Sequence, residues 1–253
     1  MRRLATILLL PALALLTTAV RADTIKVLTT GAFKQVVVAM VPAFEARTGH
    51  KVQVDNDTAG GLVKRVNAGE AFDVLVLTPA GLRPLADGGK VAADSIVPLA
   101  KVGIGVAVKT GAPVPAIGTV DEFKQALINA RKVAYTDPAA GGTAGIYLDG
   151  LFQRLGIADV VRAKAVLVPG GYSAERLTTG EVDLAMQPIS ELMPVPGVTV
   201  VGPLPEAIQN YTTYTGALGA GASRSPAARA FLATLAGPDA VDTIRAKGMQ
   251  PPK

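Results

Sequence analysis

Tyr135-Thr136-Asp137-Pro138-Ala139-Ala140-Gly141-Gly142-Thr143-Ala144-Gly145-Ile146-Tyr147 is the stretch that organises this chain. It follows Lys132-Val133-Ala134, the end of an apolar strand. It precedes Leu148-Asp149-Gly150-Leu151-Phe152-Gln153-Arg154-Leu155, whose apolar spacing predicts a helix. Pro138 stops the strand, the glycines let backbone approach a guest closely, and Thr143 can cap the helix. Free N–H groups at the positive end of the helix dipole then form an anion site. Alone, such a stretch is equally an ordinary strand-to-helix loop, but three more of its kind occur.

Thr24 to Leu28 is a strand running into Thr29-Thr30-Gly31-Ala32-Phe33, after which Val36, Val37, Met40, Val41 and Phe44 repeat at helical spacing. Gly49 ends that helix. Val52-Gln53-Val54 then leads through Asp55-Asn56-Asp57-Thr58-Ala59-Gly60-Gly61 into a helix marked by Leu62, Val63 and Val66. The fourth junction is Ala165 to Val168, followed by Pro169-Gly170-Gly171-Tyr172-Ser173. Between them, Gly69-Glu70-Ala71-Phe72-Asp73 opens the strand Val74 to Leu77, and Gly180-Glu181-Val182-Asp183 opens Leu184-Ala185-Met186 in the same way. Strand–helix alternation of this kind predicts mainly parallel sheets flanked by helices, an α/β fold.

Arg2 and Arg3, the apolar run Leu4 to Leu16, and Val20-Arg21-Ala22 predict a secretory signal peptide over residues 1–22. The run contains Pro11 and is too short for a bilayer of roughly 30 Å. Export to the periplasm and a mature start at Asp23 are therefore expected. Arg2, Arg3 and Arg21 account for three of the residues behind the +5 net charge, so the mature chain is only weakly basic. No Lys/Arg cluster with interleaved aromatics is present, and nucleic acid is not an expected partner. There is no cysteine, which excludes a disulfide framework, a thiol nucleophile and a cysteine metal site. The one histidine, His50, lies in a polar turn suited to solvation.

The mature length exceeds the commonest domain size, so two lobes are expected: residues 23–102 with the return segment 206–253, and residues 103–205. One strand should cross near Pro98 to Val102 and a second over Ile208 to Ala217, forming a hinge. The helix Ala227 to Leu235 then closes the first lobe. Closure would bring Gly31 to Phe33 and Thr58 to Gly61 against Gly141 to Thr143 and Gly170 to Ser173.

The order of Thr29-Thr30-Gly31-Ala32-Phe33, Val41-Pro42-Ala43-Phe44-Glu45 with Thr48-Gly49, Phe72-Asp73-Val74, Asp137-Pro138 with Ala144-Gly145-Ile146-Tyr147, and Gly180-Glu181-Val182-Asp183 resembles the periplasmic molybdate-binding proteins of ABC transporters. The resemblance covers essentially the whole mature chain. It implies a type II periplasmic binding fold, a monomer whose two lobes close on one small anion without cofactor or metal, and an inner-membrane ABC permease as partner. Carried over by position, ligand contacts fall at Gly31, Ala32, Thr58, Ala59, Gly60, Ala144, Gly170 and Pro188. The reading of the junctions adds Phe33, Gly142, Thr143, Gly171 and Tyr172.

Two departures bear on the ligand. Ala32 stands where molybdate binders usually place a serine, and Pro188 where they usually place a tyrosine. An unpaired buried acceptor costs about 1–3 kcal/mol, so a bare oxyanion is disfavoured and a small carboxylate is expected to bind more tightly than molybdate. Some proteins resembling this family act as aconitate isomerases, which gives an alternative, enzymatic reading. Moving a proton along an allylic acid needs a positioned base, and Asp55, Asp57, Tyr147 and Tyr172 are the titratable residues at the junctions. Tyr211 and Tyr214 are expected to pack in the hinge. Nucleophilic hydrolysis is not expected, because there is no Gly-x-Ser-x-Gly motif and no histidine placed to activate Ser173 or Ser190.

Overall fold

The computed structural model describes residues 22–252, so the expected leader lies outside the described residues except for Ala22. The first half runs β1 (Thr24–Thr30), α1 (Gly31–Thr48), β2 (Lys51–Asp57), α2 (Ala59–Asn67), β3 (Val74–Leu77) and α3 (Pro79–Asp87). A long strand, β4 (Val97–Lys109), carries the chain into α4 (Val120–Asn129), β5 (Val133–Thr136), α5 (Thr143–Arg154), α6 (Ala158–Arg162), β6 (Ala165–Val168), α7 (Glu175–Thr178), β7 (Leu184–Pro188), α8 (Ile189–Leu192) and β8 (Val198–Pro203). The return adds β9 (Tyr211–Leu218), α9 (Pro226–Ala236) and α10 (Asp239–Ala246).

These elements form two α/β lobes, the type II periplasmic binding architecture. The first sheet has the order β2-β1-β3-β9-β4. In the second, β4 lies between β8 and β7, with β5 and β6 beyond. The strands β1, β2 and β3 are parallel, as are β5, β6 and β7. The antiparallel members are β4, β8 and β9, so the parallel character predicted by the alternation is confined to strands followed by helices. β4 passes from one sheet to the other between Gly103 and Ile104, which pair with β9 and β7 respectively.

Only part of the expected second crossing belongs to β9, which pairs wholly within the first sheet. Residues 204–210 make the crossing. There the Gln209 amide clamps Ile104, accepting from its N–H and donating to its carbonyl, each at 2.9 Å. One side chain thereby stands in for a β partner where β4 changes sheets.

Residue alternation fixes both faces of each sheet. Ile25, Val27, Val74 and Val76 pack under α1, α9 and α10, while Leu28, Leu75 and Leu77 pack under α2 and α3. In the second lobe Val106, Val133, Tyr135 and Met186 face α4 and α5. The opposite face carries Ala107, Ala185 and Ala134, in register across β4, β7 and β5. This row of small side chains lets α7 and the loop before it lie low over the sheet.

Candidate anion-binding cleft

Register sets the walls of a cleft between the lobes. Thr30 is paired with Asp57 at the ends of β1 and β2, so α1 and α2 start side by side. Across from them, Thr136 ends β5 beside Val168 of β6, which brings the start of α5 and the Gly170–Ser173 loop together. The cavity between holds about 300 Å³, at the small end for ligand pockets.

The N-terminus of α1 is capped by no side chain, and Thr30, only 4% exposed, has a hydroxyl without a hydrogen-bond partner among the described residues. A buried unpaired hydroxyl at the mouth of an 18-residue helix is a donor left for a ligand. Gly142 precedes α5 likewise without a side-chain cap, and Thr143 lies in the lining. At α2 the Thr58 hydroxyl accepts from Gly61 N–H and donates to the Ala140 carbonyl in the other lobe. α5 can start this close to β5 because Gly142 and Gly145 lack side chains: a Cβ on either would run into Thr136.

Gln187, at the end of β7, holds the second lobe's loops. Its amide donates to Thr136 Oγ1 at 3.2 Å and to the Gly171 carbonyl at 3.0 Å, and accepts from Ser173 N–H at 2.7 Å. Thr136 thus accepts from Gln187 and keeps its own hydrogen for a guest.

Of the residues singled out in the sequence, Gly31, Ala32, Thr58, Ala59, Gly142, Thr143, Ala144, Gly170, Gly171, Tyr172 and Pro188 line this cavity. Phe33 and Gly60 stand outside it. The first turn of α1 points Phe33 down onto the sheet, fully buried with Val36 and Phe44. Gly60 instead abuts Gly141 of the opposite lobe, its N–H donating to the Gly141 carbonyl at 3.1 Å. Among the candidate titratable groups, Asp55 is paired with Arg65, and Tyr147 donates to the Ile208 carbonyl at 2.8 Å, so neither lines the cavity. Asp57 lines it and accepts from Thr58 N–H at 2.7 Å. The Tyr172 hydroxyl lines it and accepts across the cleft from Gln35 Nε2 at 2.7 Å.

Sequence reasoning missed Thr30, Lys34, Thr136, Glu175, Gln187 and Glu191 as lining residues, and placed Tyr214 in the hinge. Tyr214 is 2% exposed and lies in the cavity wall. Glu191, on α8, extends its Oε1 against Gly31, where a Cβ would overlap it. Among the described residues its carboxyl makes no ion pair, and burial pushes it up to about 8. Burial likewise raises Tyr214 and Tyr172, and the nearby Glu191 carboxyl adds to both. Both tyrosines are therefore neutral hydrogen-bond donors at physiological pH. Among the described residues no three His, Cys, Asp or Glu side chains gather as a metal site.

Comparison with known proteins agrees with this architecture. Over 234 residues, 90% of this chain and 88% of the relative, the sequence is 36% identical to the aconitate isomerase of a Pseudomonas species. The fold matches the periplasmic molybdate-binding protein of Azotobacter vinelandii with a TM-score of 0.75 at 18% identity, covering 90% of this chain and all of that one. It also matches PEB3 of Campylobacter jejuni, solved with L-phospholactate bound, with a TM-score of 0.69 at 19% identity over 90% of this chain and all of that one. Residues 25–250, from the first strand to the end of the described core, match the bacterial extracellular solute-binding proteins, and the chain belongs to that family.

Proposed function

We propose that the cleft binds a small polycarboxylate and that the protein interconverts isomers of an unsaturated acid of this kind, as an aconitate isomerase does. The observation that carries the reading is the placement of donors on two separate walls. Thr30 and the start of α1 offer one anchoring point, and Thr136, Thr143 and the start of α5 another. Two anchors suit two carboxylate groups. A single tetrahedral oxyanion would instead need a full shell from one set of loops, and Ala32 and Pro188 contribute no hydroxyl to it. Lys34, the only cation in the described lining, offsets part of the ligand charge. The full-length likeness to an aconitate isomerase supports the same reading.

Isomerisation is tested by incubating the protein with trans-aconitate and following the vinyl proton by NMR, beside calorimetry against aconitate isomers, citrate, molybdate and sulfate. Conversion together with carboxylate-selective binding is expected. Submicromolar molybdate binding with no response to any carboxylate would overturn the proposal.

A second reading is a receptor that hands the same anion to an inner-membrane ABC permease. The contact of Gly60 with Gly141 favours it, because lobes that meet over a guest are what a transport receptor requires. Tight binding of an unsaturated acid without conversion would select this reading. Both readings place the protein in the periplasm after loss of residues 1–22. Mass spectrometry of exported protein should therefore find an N-terminus at Asp23, and an intact Met1 there would rule out the leader.

A further inference from the structure

Within the cleft, the carboxyl of Glu191 lines the cavity beside the donors that the proposed function assigns to the anion. It reaches the N-terminal turn of α1 at Gly31, whose missing side chain leaves it room. Tyr214 on β9 and Tyr172 on the loop before α7 are the titratable neighbours that feel its charge. Lys34 on α1, Asp57 at the end of β2 and Glu175 on α7 complete the charged groups of the lining. A carboxylate meant only to be repelled by the ligand would be costly there, since burying an unpaired charge is unfavourable.

We propose that Glu191 is the acid–base catalyst of the cleft, taking an allylic proton from a bound unsaturated polycarboxylate and returning it to the far carbon of the same three-carbon unit. This rests on the isomerase reading above. In the first half, the C–H bond of the methylene breaks, its electron pair enters the extended enolate, and the proton forms an O–H bond on Glu191. In the second, that O–H bond breaks as a new C–H bond forms at the former vinylic carbon and the double bond moves by one position. Nothing is oxidised or reduced, and Glu191 ends as it began. Negative charge builds on the substrate carboxylate next to the ionising carbon, where the N–H groups opening α1 and α5 can receive it.

The other groups are less suited to the role. Asp57 already has partners of its own, the Thr58 N–H at 2.7 Å and the Arg65 guanidinium at 3.7 Å. Glu175 is exposed at the rim. Tyr172 and Tyr214 are held protonated by burial, and serve better as donors that steady the substrate. Because burial raises Glu191, its ionised form is a stronger base than an ordinary carboxylate, and catalysis should rise with pH until it is ionised near 8.

The test compares wild type, Glu191→Gln and Glu191→Asp for conversion of trans-aconitate, for affinity by calorimetry, and for deuterium entry into the methylene from heavy water. Expected are wild-type conversion rising with pH, binding by Glu191→Gln within about threefold of wild type, and a loss of conversion and exchange by about 100- to 10,000-fold. Glu191→Asp should keep part of the rate and all of the pH dependence. Circular dichroism verifies that the variants fold. Glu191→Gln turning over within tenfold of wild type, with an unaltered pH profile, would overturn the assignment and leave the isomerase reading standing. A wild type that binds the acid but neither converts nor exchanges it would overturn both.

Discussion

A Gly60→Ala variant should fold normally yet bind its carboxylate about 5- to 150-fold less tightly. Gly60 lies in the first turn of α2, where alanine is a better helix former than glycine, so the isolated lobe loses nothing. The penalty falls on closure. A Cβ at Gly60 would sit 2.9 Å from the Gly141 Cα and 3.4 Å from its carbonyl oxygen, against backbone that cannot turn aside. The change would also disturb the two hydrogen bonds that join the lobes here, from Gly60 N–H to Gly141 and from Thr58 to Ala140. Overpacking of this kind costs about 1–3 kcal/mol, and it applies only when the lobes meet, which sets the factor above. Gly141 is a poorer probe because its φ of 75° strains any other residue in the open form as well. Calorimetry gives the affinity, and small-angle scattering with saturating ligand shows whether the variant still contracts. Wild-type affinity and contraction would mean that this glycine pair does not limit closure.

The second large effect is on stability against pH. The carboxyl of Glu191 titrates near its ordinary 4.5 in the unfolded chain and is pushed to about 8 in the folded one by burial. Between those values the folded state holds the extra proton, so the contribution of Glu191 is fully present below about 4.5 and is lost as pH rises through about 8. The loss amounts to about 3–5 kcal/mol. The lower figure allows for the partial exposure of Glu191 and for the start of α1, whose dipole favours the ionised form. Glu191→Gln should abolish this loss. Its melting temperature should match wild type at pH 5 and exceed it clearly at pH 9. The carboxylates held low by partners act elsewhere. The contributions of Glu70, beside Arg65 and Lys26, and of Asp183, beside Arg131, are lost only in acid, below this window. Melting curves of the two proteins that run parallel from pH 5 to 9 would show that the Glu191 carboxyl titrates as though exposed.

Much of the fold is written locally in the chain. Each junction combines an apolar strand, a glycine or proline stop and a helical repeat, and these signals act over a few residues. The strand β8 escapes the reading because Val198–Val201 lack alternation and are half-buried on both sides. The walls of the cleft were legible for the same local reason, since a capped or bare helix start is visible as Thr58 or as Gly142-Thr143. Its floor was not. Glu191 sits on a helix of four residues, too short for any period, and reaches the cleft only because α8 packs on α1. Gln187 did carry a signal, as a polar residue closing the buried run Leu184-Ala185-Met186, where a polar side chain needs partners. Tyr214 carried one too. Thr212 and Tyr214 fall on the buried face of β9 at period two, which separates Tyr214 from the exposed Tyr211.

The position of β9 between β3 and β4 also dictates an order of assembly. Every strand of the second sheet has been made by the time residue 203 is in place, so that lobe can condense from contiguous sequence. The first sheet is different. One of its inner strands, β9, is the last of the nine to be synthesised, and until residues 211–218 arrive nothing joins β3 to β4. A nascent chain therefore carries a finished second lobe beside an open first one, with two strand edges exposed that would pair with other chains. Completion waits on contacts between residues far apart in sequence, which are the slow ones.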